Sequence, residues 1–128
     1  MQQKIIFVDV DINILNLLQR DLIEEGIHAE FFASITEAFA YLKHNPVNIV
    51  VSDIRMPEMD GVDFLQQVQR LYPDVYRVIL SCSNFNDKRT REAFEDRTIE
   101  QWLDKHKGIS ELLEYLRTFE NNDQYFVV

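Results

Sequence analysis

Short apolar runs alternate with amphipathic stretches along the whole chain. Ile5-Ile6-Phe7-Val8 reads as a buried strand ending at Asp9. From Asn13 to Glu25, Leu15, Leu18 and Leu22 recur at helical spacing, and Gly26 follows as a stop. His28 to Phe32 is a second short strand. Ser34-Ile35-Thr36-Glu37 fits a capping box, in which the Ser and Glu side chains satisfy free helix N–H groups reciprocally. The helix it opens runs to Lys43, and Pro46 separates it from a third strand, Val47 to Ser52. Asp60-Gly61 opens another helix, with Phe64, Leu65, Val68 and Leu71 on one face, broken by Tyr72-Pro73-Asp74. Val75 to Ser81 is a fourth strand, and the polar stretch Asn84 to Asp96 is assigned a helix. Ile99 to Asp104 is a fifth strand containing Trp102. Ile109, Leu112, Leu113, Leu116 and Phe119 mark a periodic last helix.

Strands alternating with helices predict a parallel sheet covered on both faces, with right-handed crossovers. Periodicity does not give the strand order. The 128 residues suffice for one domain with one core. Apolar residues make up 46%, which argues against disorder. A net charge of −9 disfavours direct nucleic-acid binding, which needs a basic surface. The single Cys82 rules out an internal disulfide framework and fits a reducing compartment. No apolar stretch approaches membrane-span length, and Met1-Gln2-Gln3-Lys4 leads straight into a strand pattern. These features predict a soluble cytoplasmic domain without membrane contact.

The candidate chemistry lies at strand ends. In a parallel sheet, Asp9 after the first strand, Asp53 after the third, Ser81 at the end of the fourth and Lys105 after the fifth share one edge. Ligands of open α/β sheets bind at that edge. Two carboxylates there suit a hard divalent cation, and a hydroxyl and an ammonium suit phosphoryl oxygens. Taken singly, each has an ordinary alternative. Asp53 would be a turn or capping carboxylate, Ser81 a strand-end hydroxyl, Lys105 a solvated charge and Trp102 a core aromatic.

Asp53-Ile54-Arg55-Met56-Pro57-Glu58-Met59-Asp60-Gly61 resembles the phosphoacceptor segment of response-regulator receiver domains. The likeness covers residues 4 to 119. It implies a flavodoxin-like, doubly wound five-stranded sheet of order 2-1-3-4-5 in a single domain, an arrangement for which a receiver protein is itself a standard example. It implies a receiver unit over residues 1–120, with 121–128 a tail or the start of a linker. It implies that Asp53 accepts a phosphoryl group from a histidine kinase or phosphotransfer protein. Mg²⁺ would sit on Asp9, Asp53 and the Arg55 carbonyl. Ser81 would bond the phosphoryl group, Lys105 would pair with it, and Trp102 would change rotamer as Ser81 moves. The surface of the fourth helix, fifth strand and fifth helix would then meet a partner, a weak second copy, or an output domain beyond the C-terminus. Tyr115, Tyr125 and Phe126 would lie at its rim. The layout around Trp102-Leu103-Asp104-Lys105 is similar to receivers attached to phosphodiesterase or phosphatase output domains. Such a module is no enzyme beyond phosphorylating and dephosphorylating itself at Asp53.

Two residues depart from the family pattern. The family has adjacent acids after the first strand, whereas Asp9 is followed by Val10, which predicts weak Mg²⁺ binding. Asp11 comes next and reads as the N-cap of the first helix. The family has Pro after the Lys, where this chain has His106; a trans bond is expected there, since a cis bond to a non-Pro residue costs about 2.5–4 kcal/mol. Two other readings follow. Without a second acid, the chain could be a receiver-like interaction module that works without phosphate. Alternatively, Asp9-Val10-Asp11 resembles the D-x-D start of haloacid-dehalogenase-type phosphatases. That family has Thr or Ser where Asn13 stands, and needs a late acidic pair for which only Asp123 is available.

Overall fold

The computed structural model describes residues 4–82, 88–107 and 109–127, except for the side chains of His106 and residues 119–127. Five strands, β1 (Ile5–Val8), β2 (Ala29–Phe32), β3 (Ile49–Ser52), β4 (Tyr76–Ser81) and β5 (Gln101–Asp104), alternate with five helices. The helices are α1 (Ile12–Glu24), α2 (Ile35–His44), α3 (Gly61–Leu71), α4 (Lys88–Glu95) and α5 (Ser110–Val127). All strand pairs are parallel, in the order β2-β1-β3-β4-β5. The expected flavodoxin-like sheet is the one observed.

Strand alternation divides the core in two. Ile6, Val8, Val50 and Ile79 face α2, α3 and Ala93 of α4. Ile5, Phe7, Val51, Val78, Leu80 and Leu103 face α1 and α5, where Leu15, Leu18, Leu22, Leu112, Leu113 and Leu116 close over them. Because both faces of the sheet are covered, the central strands β1 and β3 are buried along their whole length and read as apolar runs.

The helix ends show where the pattern was right and where it was incomplete. Asp11 caps α1, accepting from the N–H groups of Asn13 and Ile14. Gly26, with φ +77°, ends it. There Gly26 N–H donates to Ile23 O and Ile27 N–H to Leu22 O, each at 2.9 Å, the two bonds of a Schellman cap. Ser34 caps α2 by accepting from Glu37 N–H at 3.1 Å. Among the described residues, the expected return bond from Glu37 is not made. Glu58, from the β3–α3 loop, instead takes the N–H groups of Ile35 and Thr36 at 2.9 and 3.0 Å.

α4 ends at Glu95, one residue before the expected Asp96. Its first described residue is Lys88, and Asn84 to Asp87 lie outside the described residues. α5 continues to Val127, through the segment read as a tail. The side chains of Phe119, Tyr125 and Phe126 lie outside the description. At the amino edge of the sheet, Arg77 is 4% exposed. Its guanidinium donates to Val75 O, Thr98 O and Arg97 O and pairs with Glu100 at 2.6 Å.

Candidate functional site

The carboxyl edge of the sheet gathers the expected residues. The ladder runs one step past β1 and β3: Asp9 N–H donates to Phe32 O at 3.1 Å, and Asp53 N–H to Val8 O at 3.0 Å. Both acids are therefore fixed by main-chain bonds before their side chains are considered. Asp9 is 4% exposed. Lys105, the first residue after β5, sends its ammonium onto Asp9 Oδ2 and to within 3.4 Å of Asp53 Oδ1. Ser81, buried at the end of β4, pairs in register with Asp104.

The loop after Asp53 owes its course to its sequence. Ile54 and Met56 are buried in the core, with Met59 half-buried beside them, while Arg55, Pro57 and Glu58 are exposed. The loop closes where Asp60 caps α3 through Val62 N–H at 2.7 Å. Gly61 then lies against the phosphoacceptor candidate. A Cβ added to it would stand 1.9 Å from the Asp53 carbonyl oxygen, so no other residue fits without moving Asp53.

Two carboxylates share one ammonium here. Burial pushes the Asp53 carboxyl above the ordinary aspartate range; Lys105 pulls against the rise and the Asp9 charge adds to it. For Lys105, burial opposes the charge, but its bond to Asp9 and the two acids outweigh burial and leave it above the ordinary lysine value. Asp53 Oδ1 also accepts from Ile54 N–H at 2.8 Å. The polar contacts described for this carboxylate thus fall on Oδ1.

The edge retains a surplus of negative charge, which suits a divalent cation. Among the described residues, no three His, Cys, Asp or Glu side chains form a metal-binding group. What the edge offers a cation is two carboxylates and main-chain oxygens such as that of Arg55. Val10, beside Asp9, is 41% exposed and adds no ligand atom.

Trp102 is half-buried against the α2–α3 side of the core and pairs in register with Ile79, two positions before Ser81. Lys105–Lys107 forms one 3₁₀ turn, and the described residues contain no cis peptide bond. The His106 side chain lies outside the description.

Two contributors escaped the sequence reading. Glu58 ties the β3–α3 loop to α2, and its carboxyl lies below the ordinary glutamate range because the Thr36 hydroxyl and the Ile35 and Thr36 N–H groups bond to it. Arg89 of α4 pairs with Asp60 at 3.3 Å and with Asp63. The acid-rich turn Glu58 to Asp63 was the available signal.

The family model of the response regulator receiver domain matches residues 5–117, and the chain belongs to that family. The signal receiver domain of an HD domain-containing protein from Pseudomonas fluorescens Pf-5 is 27% identical, with a TM-score of 0.85 over 98% of this chain and 99% of that one. The response regulator protein TrrA from Thermotoga maritima, solved with Mg²⁺ and BeF, shares the fold at 22% identity, with a TM-score of 0.79 over 91% of this chain and 98% of that one. The C4-dicarboxylate transport transcriptional regulatory protein DctD from Rhizobium meliloti (strain 1021) is 35% identical over 77 residues, 60% of this chain and 17% of that protein. The chain thus spans less than a fifth of that regulator's length.

Receiver domains are signalling modules of two-component systems. They bind Mg²⁺, interact with histidine kinases and are often joined to output domains. The phosphatase reading falls with this membership, and Asp11, its acid/base, is occupied in capping α1. No helix among the described residues is long and apolar enough to cross a membrane.

Proposed function

We propose that this chain is a phosphorylation-controlled switch whose Asp53 takes a phosphoryl group from a phosphohistidine on a histidine kinase or phosphotransfer protein. One observation carries the reading: the Lys105 ammonium lies against both Asp9 and Asp53 at the carboxyl edge. Asp53 Oδ2 attacks phosphorus, the P–N bond breaks, and the imidazole leaves with the electron pair and takes up a proton. Lys105 pairs with a phosphoryl oxygen, and Ser81 donates to another. Trp102, two register positions from Ser81, turns inward as Ser81 moves. Such transfer depends on positioning and charge neutralisation.

Asp9, Asp53 and the Arg55 carbonyl are the groups that would hold Mg²⁺, weakly because Val10 supplies no oxygen. The ion, when bound, supplies positive charge to the phosphoryl oxygens. We assign residues 1–120 to the receiver unit and 121–128 to a C-terminal tail or the start of a linker. The surface of α4, β5 and α5 is assigned to a partner or a weak homodimer, in the cytoplasm.

Exposed Val10 favours a second reading, an interaction module that works without phosphate. Treatment with acetyl phosphate and Mg²⁺, followed by intact-mass and peptide mass spectrometry, separates the two. The switch gives one phosphoryl adduct on Asp53, lost in Asp53→Asn. Equal labelling of that variant, or no adduct on the wild type, would overturn the assignment.

A further inference from the structure

The two ends of α4 are held differently. Its carboxyl end is tied into the buried body. The Arg97 carbonyl accepts from Gln69 Nε2 and from Arg77 Nη2, each at 3.2 Å. The Asp96 carboxylate accepts from the N–H and hydroxyl of Thr98 at 2.9 and 2.7 Å. Ile99 N–H reaches back to Ala93 O at 3.2 Å.

The amino end is fastened to α3 through Arg89, which is about half exposed and pairs with Asp60 and Asp63. Thr90 and Ala93 are the buried residues of this helix. The Thr90 hydroxyl is fully buried yet has no hydrogen-bond partner among the described residues. An unmade buried bond disfavours the position that creates it. Arg89 therefore opposes a local penalty in the helix it holds. Its anchor, Asp60, stands one residue before Gly61, which is pressed against the Asp53 carbonyl.

We propose that Arg89 is a latch. Its pairs with Asp60 and Asp63 hold α4 in a resting position, and their opening lets the helix turn about its anchored Arg97–Ile99 end. The latch exists without phosphate, and only its trigger rests on Asp53 being the phosphoacceptor. A phosphoryl group on Asp53 loads the turn that carries the anchor, because Gly61, the neighbour of Asp60, is pressed against the Asp53 carbonyl. By linkage, whatever weakens the resting position must tighten binding of a phosphoryl mimic.

Hydrogen exchange of the amides of Lys88 to Ala93, and beryllofluoride affinity in the presence of Mg²⁺, test this on the full chain. Arg89→Ala should speed that exchange and tighten beryllofluoride binding, each about two- to fivefold, the range open to a partly exposed ion pair. Exchange at Arg97 to Ile99 should not change. Thr90→Val removes the unmade bond and should shift both readings the opposite way. Unchanged exchange in Arg89→Ala, or shifts of the same sign in the two variants, would overturn the latch. Wild-type protein that binds no beryllofluoride would count against the Asp53 reading instead, and the exchange measurements would still decide the latch.

Discussion

Arg77 and Lys105 are both cations drawn out of water, one near each edge of the sheet. Their surroundings differ in what they leave over. Arg77 meets one carboxylate, Glu100, and distributes its remaining donors over three main-chain carbonyls. Lys105 meets two carboxylates at once. Burial raises the pKa of Glu100 and of Asp53 alike. A like charge then separates them: Asp9 adds to the rise at Asp53, whereas Glu100 faces Arg77 and main-chain donors. A buried charge matched by one carboxylate and main-chain acceptors holds structure together. A buried site with one carboxylate in excess has something left to bind, which is how perturbed groups come to mark functional sites.

The most severe test of this contrast is Arg77→Leu. It leaves Glu100 and three carbonyls without their partner, and should cost about 3–5 kcal/mol of stability, read from urea unfolding. The double variant Arg77→Leu/Glu100→Gln should recover part of that loss. Labelling of the fraction that remains folded should persist, since the cluster lies at the opposite edge. Loss of labelling in folded protein would mean that the two edges are not separable.

Val10→Asp sharpens the other side by enlarging the surplus. It should tighten Mg²⁺ binding by roughly tenfold or more, by comparison with losses known for groups that merely support metal ligands. Trp102 fluorescence during an Mg²⁺ titration would read it, and unchanged or weaker affinity would count against Asp9 and Asp53 as the ion's ligands.

Arg97 tests whether the Arg77 cluster depends on main chain alone. Its φ of +67° is a left-handed conformation that favours glycine. Arg97→Gly keeps the carbonyl that Arg77 and Gln69 use, and should raise stability by about 0.5–1 kcal/mol. A loss would mean that the Arg97 side chain contributes to the anchor.

Glu58 gives the smallest effect and the one with a pH dependence. Its folded pKa is depressed, so its contribution is fully present above the unfolded value, near the ordinary 4.5. It is lost as pH falls through the folded value. Glu58→Gln should therefore lower the urea midpoint at neutral pH, and the gap from wild type should close under acid conditions. A gap that persists in acid would mean that the carboxylate charge is not what matters.

Most of the fold was legible because β1 and β3 are short apolar runs, the other strands are short apolar-rich segments, and four helices carry a buried stripe. α4 was the least legible, since Thr90 and Ala93 are its buried residues and the rest of its face is charged. Of the site, Asp9, Asp53 and Lys105 were legible as strand-end positions in an alternating chain, and the structure brings them together. Ser81 reaches the same edge. The long-range partners were not legible. Glu58 with Ile35 and Thr36, Arg89 with Asp63, and Arg77 with Glu100 join segments 22 to 26 residues apart, and such pairs leave no periodic trace in sequence. Arg77 inside the otherwise apolar Tyr76–Ser81 run was the visible anomaly.

The contact between Lys105 and Asp9 spans 96 positions. A chain emerging from the ribosome can pair its first strands long before the ammonium that completes the cluster exists. The cluster is complete only when the last strand has joined the sheet, so its assembly reports that all five strands are in place.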